Sequence, residues 1–283
     1  MLVVILGAGG QLGYELQKGL ADWTLVPFTR QDVDICDYAR LNREITAVKP
    51  DLVINAAAYT EVDESERKVQ KAFQVNAFAV RELARICADL GSILVQISTD
   101  YVFGGQQNRA YQEDDLPQPR NVYGNAKLVG EYFVRSLCPE HYIVRTSGLF
   151  GLGGLRSKAG NFVETVIQRA EERKPISVVD DQFFSPTYTK HFLLGLKKLL
   201  LSEEFGLYHL TNSGSCSWYS FAAAIFERMP LDPEIIPVST KEFNAPASRP
   251  GFSVLSNAKY VRTVGHPLPE WEEALADYLA ARG

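Results

Sequence analysis

Short apolar, β-rich runs alternate along the chain with longer stretches of helical period. Leu2–Leu6 reads as a buried strand, and a helix follows over residues 11–21. Thr24–Phe28 is the next strand, and Leu52–Asn55, 93–97, 142–146 and Ile176–Val179 continue the series. Helical spacing fills residues 66–90, Val122–Leu137 and 161–173. Strands apolar nearly throughout belong in a parallel sheet covered on both faces. Strand and helix in strict alternation then predict a doubly wound α/β fold with right-handed crossovers.

The second half is less regular. Residues 148–160 (GLFGLGGLRSKAG) carry five glycines in thirteen positions and read as a mobile loop. Residues 231–250 are rich in proline and polar side chains. The expected organisation is therefore a nucleotide-binding domain over 1–147 and a smaller lobe drawn mainly from 148–283. Segments near 176–210 are expected to return to the first domain.

Composition narrows the class. Of 283 residues, 46% are hydrophobic and 22% charged, which excludes a disordered, collagenous or disulfide-scaffold chain. Net charge is −5 with both signs interspersed, so no basic patch marks a nucleic-acid binder. Cys36, Cys87, Cys138 and Cys216 lie far apart without a CxxC, and the four histidines are equally scattered. Reduced thiols and no metal cluster are expected. Leu2–Leu6 lacks a preceding basic region and ends at once in glycines, unlike a targeting signal. The most apolar later stretch, 192–201, is interrupted by Lys197-Lys198 and too short to span a bilayer. The expected compartment is the cytoplasm.

Chemistry enters with Gly7-Ala8-Gly9-Gly10-Gln11-Leu12-Gly13, a GxxGxxG between the first strand and its helix. The first glycine permits a tight turn, the second lets backbone approach a pyrophosphate, and the third allows close strand–helix packing. Phosphates would then sit on the free N–H groups of the helix N-terminus. In its strand–turn–helix setting the motif predicts a Rossmann-like dinucleotide site. At the end of the second strand, where NAD-specific sites usually place an acid, stands Phe28-Thr29-Arg30. Arg30 suits a 2′-phosphate, so NADPH is expected, with NADH tolerated.

A second constellation follows. The strand ending Ile97-Ser98-Thr99-Asp100 closes on a polar trio, and the carboxyl ends of parallel strands bind ligands in open α/β sheets. Twenty-four residues after Thr99 comes Tyr123-Gly124-Asn125-Ala126-Lys127, which places Tyr123 and Lys127 on one helix face. The lysine charge is expected to lower the phenol's pKa and to anchor a nicotinamide ribose. The phenol would protonate an oxygen as hydride reaches its carbon, with Thr99 orienting that oxygen.

Together these motifs, with Asn55-Ala56-Ala57 and the acidic Asp34-Ile35-Cys36-Asp37, resemble the extended short-chain dehydrogenase/reductases. More narrowly, residues 55–63 (NAAAYTEVD), 98–103 (STDYVF) and 123–127 (YGNAK) are similar to the dTDP-4-dehydrorhamnose reductases. So are 144–147 (VRTS), 161–163 (NFV), 178–182 (VVDDQ) and Arg249-Pro250 with Ser253 and Leu255. The resemblance implies NADPH-dependent reduction of the C4 ketone of dTDP-4-dehydro-L-rhamnose to dTDP-L-rhamnose. It implies Thr99, Tyr123 and Lys127 as the catalytic set. Gly7, Gly10, Gln11, Leu12, Arg30, Asp34, Ile35, Ala56, Ala57 and Tyr59 would line the cofactor together with Tyr123 and Lys127. Thr99, Asp100, Tyr101, Asn161 and Arg249 would meet the sugar nucleotide, Arg249 at its diphosphate. Asn76 stands where such proteins support the active site. A homodimer, with a magnesium ion at its interface, is a further family-level expectation.

One departure is visible. Those reductases usually carry an aromatic residue after Arg-Thr-Ser, where the sugar packs; here it is Gly148. Other readings therefore stay open. They are reduction of another nucleotide-linked 4-keto-6-deoxy sugar, and a reductase-like regulatory subunit without turnover. Sugar-nucleotide dehydratases often carry a glutamate after the threonine-aspartate, and here Tyr101 follows Asp100. Epimerases of this scaffold hold NAD tightly, and the missing acid after the second strand speaks against that.

Overall fold

A computed structural model describes residues 1–156 and 160–283. The first half runs β1 (Leu2–Leu6), α1 (Gln11–Gly19), β2 (Thr24–Phe28), α2 (Tyr38–Val48), β3 (Leu52–Asn55), α3 (Val62–Arg67), α4 (Val69–Phe73), α5 (Ala79–Leu90), β4 (Ile93–Thr99) and α6 (Val122–Leu137). It continues with β5 (His141–Thr146), β6 (Leu149–Phe150), α7 (Phe162–Glu171), β7 (Ile176–Val179), β8 (Phe183–Phe184), β9 (Thr187–Tyr188) and α8 (Thr189–Leu200). The last stretch holds β10 (Gly206–His209), β11 (Cys216–Ser217), α9 (Trp218–Phe226), β12 (Ile235–Val238), α10 (Thr240–Phe243), α11 (Ala258–Val264) and α12 (Trp271–Arg282).

Six parallel strands form the main sheet in the order β10-β5-β4-β3-β1-β2. Alternation along each strand explains its two covered faces. Val3, Ile5, Ile54, Val95 and Val144 point into one core with Leu12 and Leu16 of α1 and Phe192 and Leu196 of α8. Val4, Leu6, Val53, Leu94 and Ile143 point into the other with Leu41, Ile45, Leu83 and Val134. Burying an aliphatic side chain from both sides contributes about 1.5–3 kcal/mol each, which is why these strands read as continuous apolar runs. Strand order reverses beside β1, opening the crevice where such sheets receive ligands.

A second core gathers Phe150, Val163, Ile167, Phe184, Phe221, Trp271, Leu275 and Tyr278. Here the structure corrects the strand series. β7 pairs in parallel with β12, outside the main sheet, while β10 takes the edge place beside β5. The four residues of β10 are too few to stand out as a periodic run. The 66–90 helix is also interrupted. It breaks at Lys68 and passes through a π-helical turn over Gln74–Phe78 before α5. Of the expected loop over 148–160, the described part is structured: β6 pairs with β9, and Leu152–Arg156 forms a 3₁₀ turn. Residues 157–159 of that expectation lie outside the described residues. All four cysteines are free, with Cys87, Cys138 and Cys216 buried. No described helix is long and apolar enough to cross a membrane.

Candidate active site

The glycine loop turns directly from β1 into α1. Gly7 adopts φ +79°, and a Cβ there would meet the Ala57 nitrogen at 2.7 Å, so the turn is open to glycine alone. The α1 N-cap is Gly10, which offers no side-chain acceptor. The first N–H groups of the helix are thus left for an external acceptor such as phosphate.

Two adjoining cavities flank this loop, and both are lined by Gly10, Ala56, Ala57 and Ala58. One, of about 500 Å³, adds Gly7, Thr29, Arg30, Asp34, Ile35, Tyr59 and Lys71. The other, of about 430 Å³, adds Gln11, Leu12, Thr99, Asp100, Tyr123, Thr146 and Asn161. Two connected chambers across the reversal point match the two halves of a dinucleotide, and the uncapped helix end lies between them. These residues fit the cofactor. A larger cavity of about 850 Å³ sits at the β5–β10 edge, lined by opposing charges such as Glu113 and Lys259, and contains neither the glycine loop nor Tyr123.

In the first chamber, Asp34 accepts from the Cys36 backbone N–H at 3.0 Å and from Arg30 Nε at 3.2 Å. Those bonds, the Cys36 one foremost among them, hold its carboxyl below the usual aspartate value. Arg30 is otherwise exposed at the chamber mouth. Tyr59 is fixed from behind. The buried Asn76 side chain accepts from its N–H at 2.9 Å and donates to its carbonyl at 3.0 Å. That clamp comes from the π-helical turn, a local distortion typical of functional positions.

In the second chamber, Thr99 ends β4 and accepts from the Tyr101 N–H at 3.1 Å. Asn121 caps α6 by accepting from Gly124 N at 2.7 Å, which starts the helix one residue before Tyr123. The phenol and Thr99 both line this chamber. Lys127, one turn on, is buried behind the lining of both chambers and donates from Nζ to the Ile97 carbonyl at 2.5 Å.

The electrostatics correct one expectation. Tyr123 is held above the ordinary phenol value, by burial first and the Asp100 charge second, and only Thr99 opposes this. Burial pulls Lys127 down to about 8, against the pull of Glu131. The lysine does not lower the phenol here. A phenol kept neutral is the form required to deliver a proton.

Asp100 is enclosed. Its carboxylate accepts from Ser253 Oγ at 2.6 Å, Ser147 Oγ at 2.9 Å and Thr99 Oγ1 at 3.1 Å. Burial pushes it up to about 6, against these donors. Asn161 caps α7 and donates to Gln11 Oε1 and the Gly151 carbonyl, while Gln11 donates to the Leu149 carbonyl. Both side chains thus clasp the lobe to the glycine loop as well as lining the chamber. Tyr101 lies edge-on to Tyr123, with ring centroids 6.2 Å apart, and feels the Arg249 charge. Arg249 makes a bidentate ion pair with Asp63, 3.0 Å at each nitrogen, outside the lining of either chamber.

Residues that sequence reasoning did not assign to the site include Ser147, Asp63 and Thr146. These three, like Ser253, appear in the sequence only as parts of the family pattern. Thr146 pairs in register with Thr99 and carries a buried hydroxyl without a partner among the described residues. Among those residues no three of His, Cys, Asp and Glu come together to hold a metal, so the magnesium expectation finds no ligand set.

Known proteins place this geometry. The chain is 39% identical to the spore coat polysaccharide biosynthesis protein SpsK of Bacillus subtilis, over 99% of this chain and 97% of that protein. It is 35% identical to dTDP-4-dehydrorhamnose reductase of Salmonella typhimurium, over 96% and 95%. A crystal structure of dTDP-4-dehydrorhamnose reductase from Bacillus anthracis in complex with NADP superposes with a TM-score of 0.94 at 38% identity, covering 99% of both chains. The RmlD substrate binding domain family matches residues 1–282, and the chain belongs to that family.

Proposed function

We propose that the protein is an NADPH-dependent reductase of dTDP-4-dehydro-L-rhamnose, forming dTDP-L-rhamnose. The observation that carries this reading is the second chamber, where the glycine loop, Thr99 and a neutral Tyr123 converge. When bound, the reduced nicotinamide supplies a hydride to the C4 carbon of the sugar. Thr99 holds the C4 oxygen, and Tyr123 gives its hydroxyl proton to that oxygen as negative charge develops there. Lys127, pinned by the Ile97 carbonyl, presents its ammonium toward the cofactor ribose. Asp100 accepts the Thr99 hydroxyl in the unliganded protein and sets its place; with the sugar bound, that single O–H turns from Asp100 to the C4 oxygen, and Asp100 keeps its Ser147 and Ser253 donors.

Relatives named for this reaction and a solved relative bearing NADP support the assignment. In the same reading, 1–147 binds the dinucleotide, with α8 and β10 completing that domain, and most of 148–283 receives the sugar nucleotide. Arg30 takes the 2′-phosphate, and Arg249 turns from Asp63 to the diphosphate. A cytoplasmic homodimer is part of this reading, resting on the family resemblance.

Tyr123→Phe tests the proton donor. Turnover should fall by about 10²–10⁴-fold while NADPH still binds. Retained turnover would remove Tyr123 from that role. A second reading, another nucleotide-linked 4-keto-6-deoxy sugar, is favoured by Gly148 alone. Its φ is +51°, and Phe184 occupies the space a side chain would need.

A further inference from the structure

Behind the reaction centre lies a buried charge cluster that the proposed chemistry does not use. Glu131 is one helical turn beyond Lys127 on α6, and helical side chains lean toward the N-terminus, so its carboxylate lies on the Lys127 side. It accepts from Ser98 Oγ at 2.5 Å, from Arg145 Nε at 2.9 Å and from Arg145 Nη2 at 2.7 Å. Glu131 and Arg145 are 3% and 2% exposed, a fully desolvated pair. Ser98 follows Ile97, whose carbonyl receives the Lys127 ammonium. A single stretch of β4 therefore holds both ends of the Lys127–Glu131 turn.

We propose that Glu131, fixed by Arg145 and Ser98, is a positioning residue that keeps Lys127 charged in its buried site. The inference rests on the reading of Lys127 given above. A buried ammonium with one carbonyl partner is costly, and a carboxylate one turn away offsets that cost. Charged and titratable groups about α6 include Tyr123, Tyr132 and Arg135 on the helix itself, Tyr101 against Tyr123, Glu66 at the Val122 N–H, Arg81 over Phe133, Arg145 on Glu131, His209 beside Arg145, and Asp100, whose charge reaches Tyr123. Glu131 is the charge that opposes burial at Lys127. His209 is held neutral, its value pulled down to about 3 by burial and by Arg145, and so it adds no competing cation. Arg145, paired with Glu131 through two nitrogens, fixes that carboxylate in place.

Two variants test this. Glu131→Gln removes the carboxylate but strands the Arg145 charge, and it is expected to be unstable. Glu131→Met combined with Arg145→Met replaces the pair by apolar side chains, a change that buried ion pairs often tolerate. Lys127 is followed by NMR of ¹⁵N-labelled lysine side chains, assigned with Lys127→Arg, and NADPH oxidation is followed across pH. The Lys127 midpoint should fall by at least about one pH unit in the double variant. Turnover should fall at least about fivefold at pH 8 and little at pH 6. A folded double variant in which Lys127 titrates as in the wild type overturns the proposal, as does a loss equal at both pH values. A wild type that binds NADPH yet never consumes it with the dTDP sugar defeats the functional reading instead, and the NMR titration still decides the role of Glu131.

Discussion

Ser253→Ala removes one of three donors from a carboxylate that has no solvent to turn to. Asp100 is 4% exposed, and Ser253 Oγ approaches its Oδ2 at 2.6 Å from 153 residues away in sequence. A hydrogen bond to a buried charge contributes about 1.5–3 kcal/mol. In a protein of this size each kcal/mol moves Tm by about 2 °C, so the variant should melt about 3–6 °C lower at pH 8. The effect should depend on pH. Burial raises folded Asp100 to about 6 from 3.8, so the folded state binds a proton that the unfolded state has lost between those values. That contribution is complete below 3.8 and is lost as pH rises through about 6. Without Ser253 the folded value rises further, and the loss continues to higher pH. The gap between variant and wild type therefore opens above pH 6. At pH 5 a mostly neutral carboxyl loses only an ordinary hydrogen bond of about 1 kcal/mol, or about 2 °C. Differential scanning calorimetry at both pH values reads this directly. An equal fall at pH 5 and pH 8, or none at pH 8, refutes the picture of Asp100 as a buried carboxylate held by serine donors.

Further outcomes follow from the same geometry. Asn76→Ala strips both partners from the Tyr59 backbone and should cost about 2 kcal/mol in chemical denaturation, with weaker NADPH binding because Tyr59 lines the first chamber. Unchanged stability would show that the π-helical turn clamps nothing. Thr146→Val replaces a buried hydroxyl that has no partner among the described residues, so the unliganded protein should melt at the same temperature or higher. NADPH affinity or turnover should fall if bound reactants satisfy that hydroxyl, and a lower Tm would contradict its orphaned state.

What the sequence made legible was local. Val3 to Leu6 are apolar without a break because both faces of the strand are covered, and Gly7 marks the turn because its φ is positive. Tyr123 and Lys127 are four apart, so helical geometry alone joins them, and the expected bounds of their helix match α6. What stayed hidden is held by contacts distant in sequence. Asp100 meets Ser147 and Ser253 only after β5 and the chain beyond β12 fold back over β4. Asn76 interrupts a helix of good period because its side chain bonds Tyr59, a choice that periodicity cannot register. Ile176–Val179 reads like a strand of the main sheet, and its partner Ile235–Val238 lies in a stretch dominated by proline and polar residues. The phenol's environment was misjudged for a similar reason. A lysine at i+4 promises a nearby charge, but its ammonium turns to the Ile97 carbonyl while burial and Asp100 govern Tyr123.

The central claim is tested most directly by following NADPH absorbance with enzymatically generated dTDP-4-dehydro-L-rhamnose, with NADH in parallel. The account predicts one NADPH consumed for each dTDP-L-rhamnose formed, and slower consumption of NADH, which lacks the 2′-phosphate that Arg30 would hold. NADPH that binds without being consumed would contradict it, directing attention to another keto-sugar beside Gly148 or to a regulatory role.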